Sequence, residues 1–145
     1  MRTALMVAAA SLTGCATPGF NKEWKTAMAA GVPPTGMEGP WQGTWQSKAN
    51  GHKGDLRCIV TKPADPADPW KFHYWFTWSG LKATYTPSYP VEEKNGTFTF
   101  EGESDLGKLG GLFKHEGQVT GGKFKADYSS KTDHGTFEMT RPEKP

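Results

Sequence analysis

The chain has 145 residues, with 17 Lys and Arg against 15 Asp and Glu, which gives a formal net charge of +2. Without residues 1–14, which include Arg2, 16 basic residues would remain against 15 acidic ones, so that shorter chain is close to neutral. The lysines are scattered rather than clustered, so the sequence argues against a surface that binds nucleic acid. They include Lys62, Lys71, Lys82, Lys94, Lys108, Lys114, Lys123 and Lys131.

The N-terminal segment carries a targeting pattern. Arg2 supplies a positive charge, and a mostly small and apolar stretch of nine residues follows, from Ala4 to Leu12. A membrane-spanning helix needs about 20 residues, so this stretch is too short to cross a bilayer. The segment closes on the run Leu12, Thr13, Gly14 and Cys15. This run resembles the lipobox of bacterial lipoproteins, L-[AST]-[GA]-C, which predicts a lipoprotein signal peptide over residues 1–14 and lipidation of Cys15.

The lipobox resemblance also implies a location. Lipoproteins carry three acyl chains, palmitate among them, on this cysteine, and two chains already suffice for stable anchoring. Ala16 follows the cysteine, where inner-membrane lipoproteins commonly carry aspartate, so the resemblance favours the outer membrane, with the domain facing the periplasm. Fourteen residues are few for a secretory signal of about 15 to 30, so we expect the natural start to lie upstream.

Cysteine usage is consistent with this interpretation. Once Cys15 carries lipid, Cys58 has no partner within the chain, and no intrachain disulfide can form. Cys58 stands in an apolar, strand-like run, where an unpaired cysteine is usually a small buried hydrophobe. We therefore predict a buried, unreactive thiol.

Residues 15–38 form the predicted lipidated tether. Asn21 is a suitable cap for a helix over Lys22–Ala30, and Gly31 would end it. Trp24 and Met28 stand four residues apart, so a helix would place them on one face that could dock on the folded domain. A flexible spacer is the alternative.

Residues 39–142 follow a period of two, with short runs separated by the dipeptides that tight hairpins use, such as Asn50-Gly51 and Asn95-Gly96. The pattern predicts an all-β domain of eight antiparallel strands. An up-and-down barrel would remove the exposed edges of such a sheet, and a two-sheet sandwich is the competitor. The predicted strands lie near 41–45, 56–61, 70–78, 81–86, 97–101, 112–119, 123–128 and 136–140.

The third predicted strand carries an aromatic stripe on one face. Its members are Trp70, Phe72, Tyr74, Phe76 and Trp78. The interior of an eight-stranded barrel is either filled by side chains or left to hold one small ligand. Bulky residues on most strands favour a packed core. If a cavity for a small hydrophobic ligand exists, we expect Phe72, Tyr74, Phe76 and Trp78 to line it.

The run Gly43-Thr44-Trp45 resembles the G-x-W signature of the calycin barrels, which include the lipocalins, avidins and fatty-acid-binding proteins. In lipocalins a tryptophan of the first strand packs under a basic residue near the end of the barrel, so the resemblance pairs Trp45 with Arg141. The chain lacks the long C-terminal helix of a lipocalin, which makes it more similar to the compact avidin type. The resemblance implies a calycin-like barrel closed by this pair.

The β region is also similar to small, uncharacterised envelope proteins of planctomycete-like bacteria. The similar segments are 39–45, 50–54, 56–58 and 133–139, and the likeness extends over residues 39–142. That group has no assigned activity, so the likeness bears on fold and location rather than on mechanism.

The topology brings several polar residues to one end of the predicted barrel, since alternate connections of an up-and-down barrel emerge together. This rim would hold Asn50, His52, Asp105, Asp133 and His134. Imidazole and carboxylate groups could bind zinc or act as acid and base, with His52, His134 and Asp105 as the candidate set. Alternatively, Asp and Asn bond within their own turns, and the histidines are ordinary surface residues.

We therefore expect a membrane-anchored envelope lipoprotein whose domain is a non-enzymatic module for a small molecule or lipid, without a cofactor. The partners implied are the membrane, through the lipid, and a small hydrophobic ligand. A structural envelope protein with a filled core is one alternative. A metal-dependent enzyme using the rim is the other.

Overall fold

The computed structural model describes residues 7–8, 17–105 and 111–143. Cys15 and the other lipobox residues lie outside these ranges. The described elements are the helix α1 (Thr17–Ala29) and strands β1 (Val7–Ala8), β2 (Gly39–Ser47), β3 (Lys53–Thr61), β4 (Trp70–Trp78), β5 (Leu81–Tyr85), β6 (Ser88–Tyr89), β7 (Val91–Lys94), β8 (Thr97–Asp105), β9 (Leu112–Thr120), β10 (Lys123–Ser129) and β11 (His134–Thr140). The prediction of a mainly antiparallel all-β domain with a short N-terminal helix is confirmed.

The strands form one sheet in the order β1-β8-β9-β10-β11-β2-β3-β4-β5, with β6 also paired to β4 and β7 to β8. All pairs are antiparallel except β1 with β8, where Val7 lies opposite Glu103. The first and last strands of the predicted β domain are neighbours, because β2 pairs with β11 and Trp45 lies opposite Phe137. Side chains at alternate positions therefore face a shared interior.

The sheet is not closed by backbone hydrogen bonds. Among the described residues no ladder joins β5 or β6 to β7 or β8, and these two short strands, β6 and β7, are additional to those predicted. Pro87 and Pro90 explain the break, because proline has no N–H to donate and interrupts a ladder. Side chains span the opening instead: the Tyr85 hydroxyl donates to Ser104 Oγ at 2.6 Å.

Aromatic side chains fill most of the interior. The predicted stripe lies on β4 as expected, and Phe72 and Tyr74 are fully buried within it. Phe72 packs against Phe100 with ring centroids 4.6 Å apart, and Phe100 lies 5.5 Å from Phe124. Trp41 closes the lower end of this cluster, by which we mean the end away from the turn between β4 and β5, and its ring centroid lies 5.7 Å from that of Phe124. Close packing of this kind fills the lower part of the domain, where the core is packed as the sequence predicted.

The helix α1 packs on the outer face of the sheet. Phe20 is completely buried and contacts His73 and Trp75 of β4, with ring centroids at 5.0 Å and 6.3 Å. Glu23 Oε2 lies 2.7 Å from His73 Nδ1. The Arg57 guanidinium lies 5.0 Å from the ring centroid of Trp24. The docked helix is therefore present in place of a flexible spacer.

The predicted start of this helix is wrong. It begins at Thr17, so Asn21 lies within the helix instead of capping it. The physical reason is Pro18, since proline is tolerated in the first turn of a helix, where the backbone N–H groups have no intrahelical partner. Across residues 7–8, 17–105 and 111–143, no helix has the length and apolar character needed to span a membrane.

The predicted pairing of Arg141 with Trp45 is also wrong. The Arg141 guanidinium lies over Trp41 instead, 3.9 Å from the ring centroid. Register explains the difference: Trp45 lies opposite Phe137, four residues from Arg141 and so about 13 Å away along the strand. The same Gly-x-Trp spacing occurs at Gly39-Pro40-Trp41, one step earlier in β2.

Candidate functional site

A cavity of about 210 Å³ opens at the end of the sheet where β4 turns into β5. Tyr74, Phe76 and Trp78 form one wall, because alternate residues of β4 face the interior. Tyr85 of β5 extends this wall, directly opposite Tyr74 in the pairing. Trp78 is 54% exposed, which places it at the mouth.

The opposite wall comes from the strands after the break in the sheet. Phe113 of β9, Tyr128 of β10 and Phe137 of β11 all line the cavity. Their rings contact each other, with Tyr128 centroids 5.8 Å from Phe113 and 5.3 Å from Phe137. The two walls meet where Phe137 lies edge-on to Tyr74 at 5.4 Å, so the floor of the cavity is aromatic as well.

Trp45 and Leu56 complete the apolar lining. The Trp45 indole crosses β3 and donates from Nε1 to the Thr77 carbonyl oxygen at 2.8 Å. Gly54 lies directly opposite Trp45 and makes this crossing possible, because any Cβ there would collide with the indole and with Thr77. Trp45 is therefore a wall of the cavity rather than a partner of Arg141.

The structure places three of the four predicted cavity residues in the lining. Tyr74, Phe76 and Trp78 line the cavity, whereas Phe72 does not. Phe72 is fully buried deeper in the domain, where it packs on Tyr89 and Phe100. The stripe thus serves both predicted purposes: its lower residues fill the core, and its upper residues bound a cavity.

Asp133 is the charged residue of the lining. Ser47 Oγ donates to its Oδ1 at 2.5 Å, and the Tyr128 hydroxyl donates to its Oδ2 at 3.1 Å. Burial and the negative charge of Asp133 raise the pKa of Tyr128, so this phenol stays protonated and remains a donor. The carboxylate is thereby fixed at the edge of an aromatic chamber.

The other predicted rim residues lie on the surface near this end. Ser47 N donates to the His52 carbonyl oxygen and Lys48 N to the His134 carbonyl oxygen, both at 2.7 Å, so the two histidine loops are adjacent as predicted. The His52 and His134 side chains are exposed, and Asp105 is exposed at the end of β8.

Asn50 bonds within its own turn, where its Oδ1 accepts from His52 N at 2.9 Å. Within the ranges that the structure describes, no group of three or more His, Cys, Asp or Glu has an arrangement that could hold a metal ion. Of the five rim residues, the structure brings Asp133 alone into the lining of the cavity.

A buried polar network beneath the cavity was not predicted. His115 is 1% exposed, and its Nδ1 lies 3.1 Å from the Asp127 carbonyl oxygen. A carbonyl can only accept, so Nδ1 carries the proton and Nε2 accepts from the Tyr74 hydroxyl at 2.8 Å. Burial lowers the pKa of His115 to about 4, so the imidazole is neutral at neutral pH. A histidine between Phe113 and Gly117 on the interior face of a strand was the available signal.

Cys58 is fully buried and free, as predicted. Burial is the main cause that raises the pKa of its thiol, and the charge of Glu23 adds to the effect. Both causes disfavour the thiolate, which is the nucleophilic form. Cys58 therefore packs as a small apolar residue.

No protein-family model, no curated protein and no solved structure matches this chain.

Proposed function

We propose that this chain is a lipid-anchored envelope lipoprotein whose domain, a calycin-like β-barrel, binds a small molecule without catalysing a reaction. The observation that carries the binding proposal is the aromatic cavity at the end of an otherwise filled interior. Pockets that bind small molecules are typically concave, mostly apolar and equipped with a few fixed polar groups. Asp133, held by two hydroxyl donors, is such a group.

Three contacts support the barrel as the fold of this binding module. The pairing of β2 with β11 joins the ends of the β domain. The Tyr85 to Ser104 hydrogen bond crosses the opening between β5 and β8. The packing of Arg141 over Trp41 resembles the arginine–tryptophan closure of calycin barrels, although the tryptophan is the one four residues before Trp45.

The lipid anchor rests on the run from Leu12 to Cys15, and signal cleavage before Cys15 would remove β1 (Val7–Ala8), which pairs with β8, from the mature sheet. Helix α1 begins at Thr17, so an acylated Cys15 would be two residues from a helix that is docked on the sheet. Two extended residues span at most about 7 Å. The anchor would therefore hold the folded domain close to the membrane surface, without a long linker between them.

The anchor is tested by changing Cys15 to Ser and fractionating cells that express either form. We expect the wild type to pellet with membranes and to incorporate labelled palmitate, and the Cys15→Ser protein to do neither. A variant that still pellets, together with an unlabelled wild type, would refute the anchor.

Binding is tested by titrating the protein with benzyl alcohol, a small neutral aromatic probe, and following calorimetric heat and tryptophan fluorescence. Trp45 and Trp78 line the cavity, so occupation should change their emission. Leu56→Phe adds volume inside the cavity and should abolish binding. Leu112→Phe is the matched control, because Leu112 is 46% exposed and does not line the cavity.

Saturable binding that is lost in Leu56→Phe and kept in Leu112→Phe would support the proposal. Equal binding by both variants would overturn it, as would a wild type that binds neither benzyl alcohol nor choline. The domain would then be better described as a structural envelope protein with a filled core, the interpretation that the packing of Phe72, Phe100 and Phe124 favours.

A further inference from the structure

The walls of the cavity are mainly aromatic rather than aliphatic. Eight of its ten lining residues are Trp, Tyr or Phe. The face of an aromatic ring carries negative electrostatic potential and attracts an organic cation placed within about 6 Å. Assemblies of several rings around one chamber are a known means of recognising alkylated ammonium groups. An aliphatic tail gains no such electrostatic term from these walls.

The charge at the edge of the chamber has the matching sign. Both hydrogen bonds that the structure gives the Asp133 side chain come from neutral hydroxyl groups, on Ser47 and Tyr128. The ion pairs among the described residues are His73 with Glu23 and Lys114 with Glu103, so neither involves Asp133. The carboxylate is thus oriented by the protein without being neutralised by it.

The size of the cavity limits the ligand. A volume of about 210 Å³ equals roughly seven molecules of liquid water at about 30 Å³ each. Below the cavity, Phe72 and Phe124 are fully buried and leave no continuation for a chain. These dimensions suit a compact group such as trimethylammonium better than the full length of an acyl chain.

We infer that the cavity binds a small organic cation, an alkylammonium group that is enclosed by the aromatic walls and faces the Asp133 carboxylate. This inference rests on the proposed binding function and specifies its ligand class. Trp78, half exposed at the mouth, would cover the cation from the solvent side. Asp133 would supply the opposite charge.

The test compares choline with its neutral carbon analogue, in which a tert-butyl group replaces trimethylammonium. The two probes have nearly the same shape and differ in charge. Calorimetry and tryptophan fluorescence of the full domain should show choline binding at least about tenfold more tightly than the neutral analogue.

Two variants locate the effect. Asp133→Asn removes the charge while keeping an oxygen acceptor, and it should weaken choline binding about tenfold and leave the neutral analogue nearly unchanged. Asp55→Asn is the matched control, because Asp55 is exposed on β3 and does not line the cavity. Trp78→Leu replaces a half-exposed ring, so it should fold normally and should also weaken choline selectively. If Asp133→Asn does not fold, the choline affinity of Trp78→Leu tests the inference instead.

The possible outcomes separate the two proposals. If the neutral analogue binds as tightly as choline, or if benzyl alcohol binds and choline does not, the cation inference is overturned and the binding function stands. If choline binding is unchanged in both Asp133→Asn and Trp78→Leu, the cation binds elsewhere and the inference fails. If none of the three probes binds, both proposals are overturned.

Discussion

Replacing Arg141 with alanine should destabilise the domain by about 2–3 kcal/mol. Its guanidinium donates to the carbonyl oxygens of Pro40 at 3.0 Å, Gly36 at 3.1 Å and Glu38 at 2.8 Å, and it covers Trp41. The bond to Pro40 is partly buried and contributes about 1 kcal/mol, while the two exposed bonds contribute less. A cation over a fully buried indole adds about 1 kcal/mol or more.

A double-mutant cycle measured by urea unfolding identifies the tryptophan involved. Arg141→Ala combined with Trp41→Phe should give a coupling free energy of about 1 kcal/mol, because the two groups are in contact. The same arginine variant combined with Trp45→Phe should be additive within about 0.5 kcal/mol, since these sites lie about 13 Å apart along the strands.

Two results would refute this reasoning. A loss below about 0.5 kcal/mol for Arg141→Ala would mark an ordinary surface arginine. Coupling to Trp45 as strong as coupling to Trp41 would contradict the register of β2 with β11.

Three further measurements test the packing. Because burial lowers the pKa of His115 to about 4 in the folded chain, against about 6.5 unfolded, protonation favours unfolding. The free energy of unfolding should have its full value above about pH 6.5 and fall by about 3 kcal/mol as the pH decreases to about 4. His115→Gln should flatten this part of the pH profile. An unchanged slope in that variant would contradict the assignment. Gly43→Ala should lower the free energy of unfolding by about 2–4 kcal/mol, because a Cβ there collides with the backbone of β11. Gly19→Ala, at an open position of the helix, should raise it by about 0.5–1 kcal/mol in the same unfolding assay. Equal effects of the two substitutions would disprove the contact. Phe20→Ala should expose helix α1 to trypsin and lower the free energy of unfolding by about 3 kcal/mol, because Phe20 is fully buried. Met28 is half-buried, so Met28→Ala should lower it by about 1 kcal/mol. Continued protection of the Phe20 variant from trypsin would show that the helix docks through other residues.

The sequence by itself determined the local features of the domain. The alternation from Trp70 to Trp78 predicted both the bounds of β4 and its aromatic face, because a strand turns successive side chains to opposite sides whatever lies around it. The dipeptides Asn50-Gly51 and Asn95-Gly96 marked hairpins for a similar local reason. Positive backbone φ angles occur there at Gly51, Asn95 and Gly96, and Gly and Asn adopt such angles readily.

Tertiary structure decided which side chains meet across the sheet. A one-residue change of register moves every side chain to the other face, and longer shifts change its partner, so the choice of Trp41 over Trp45 for Arg141 was not readable from spacing. The cavity likewise depends on volumes contributed by strands far apart in sequence, which meet around Tyr74 and Phe137. Asp133 became the charged edge of that cavity because Ser47, 86 positions earlier in the chain, fixes its carboxylate. Local pattern specifies the strands, whereas the sum of packing across the whole sheet specifies the space they leave.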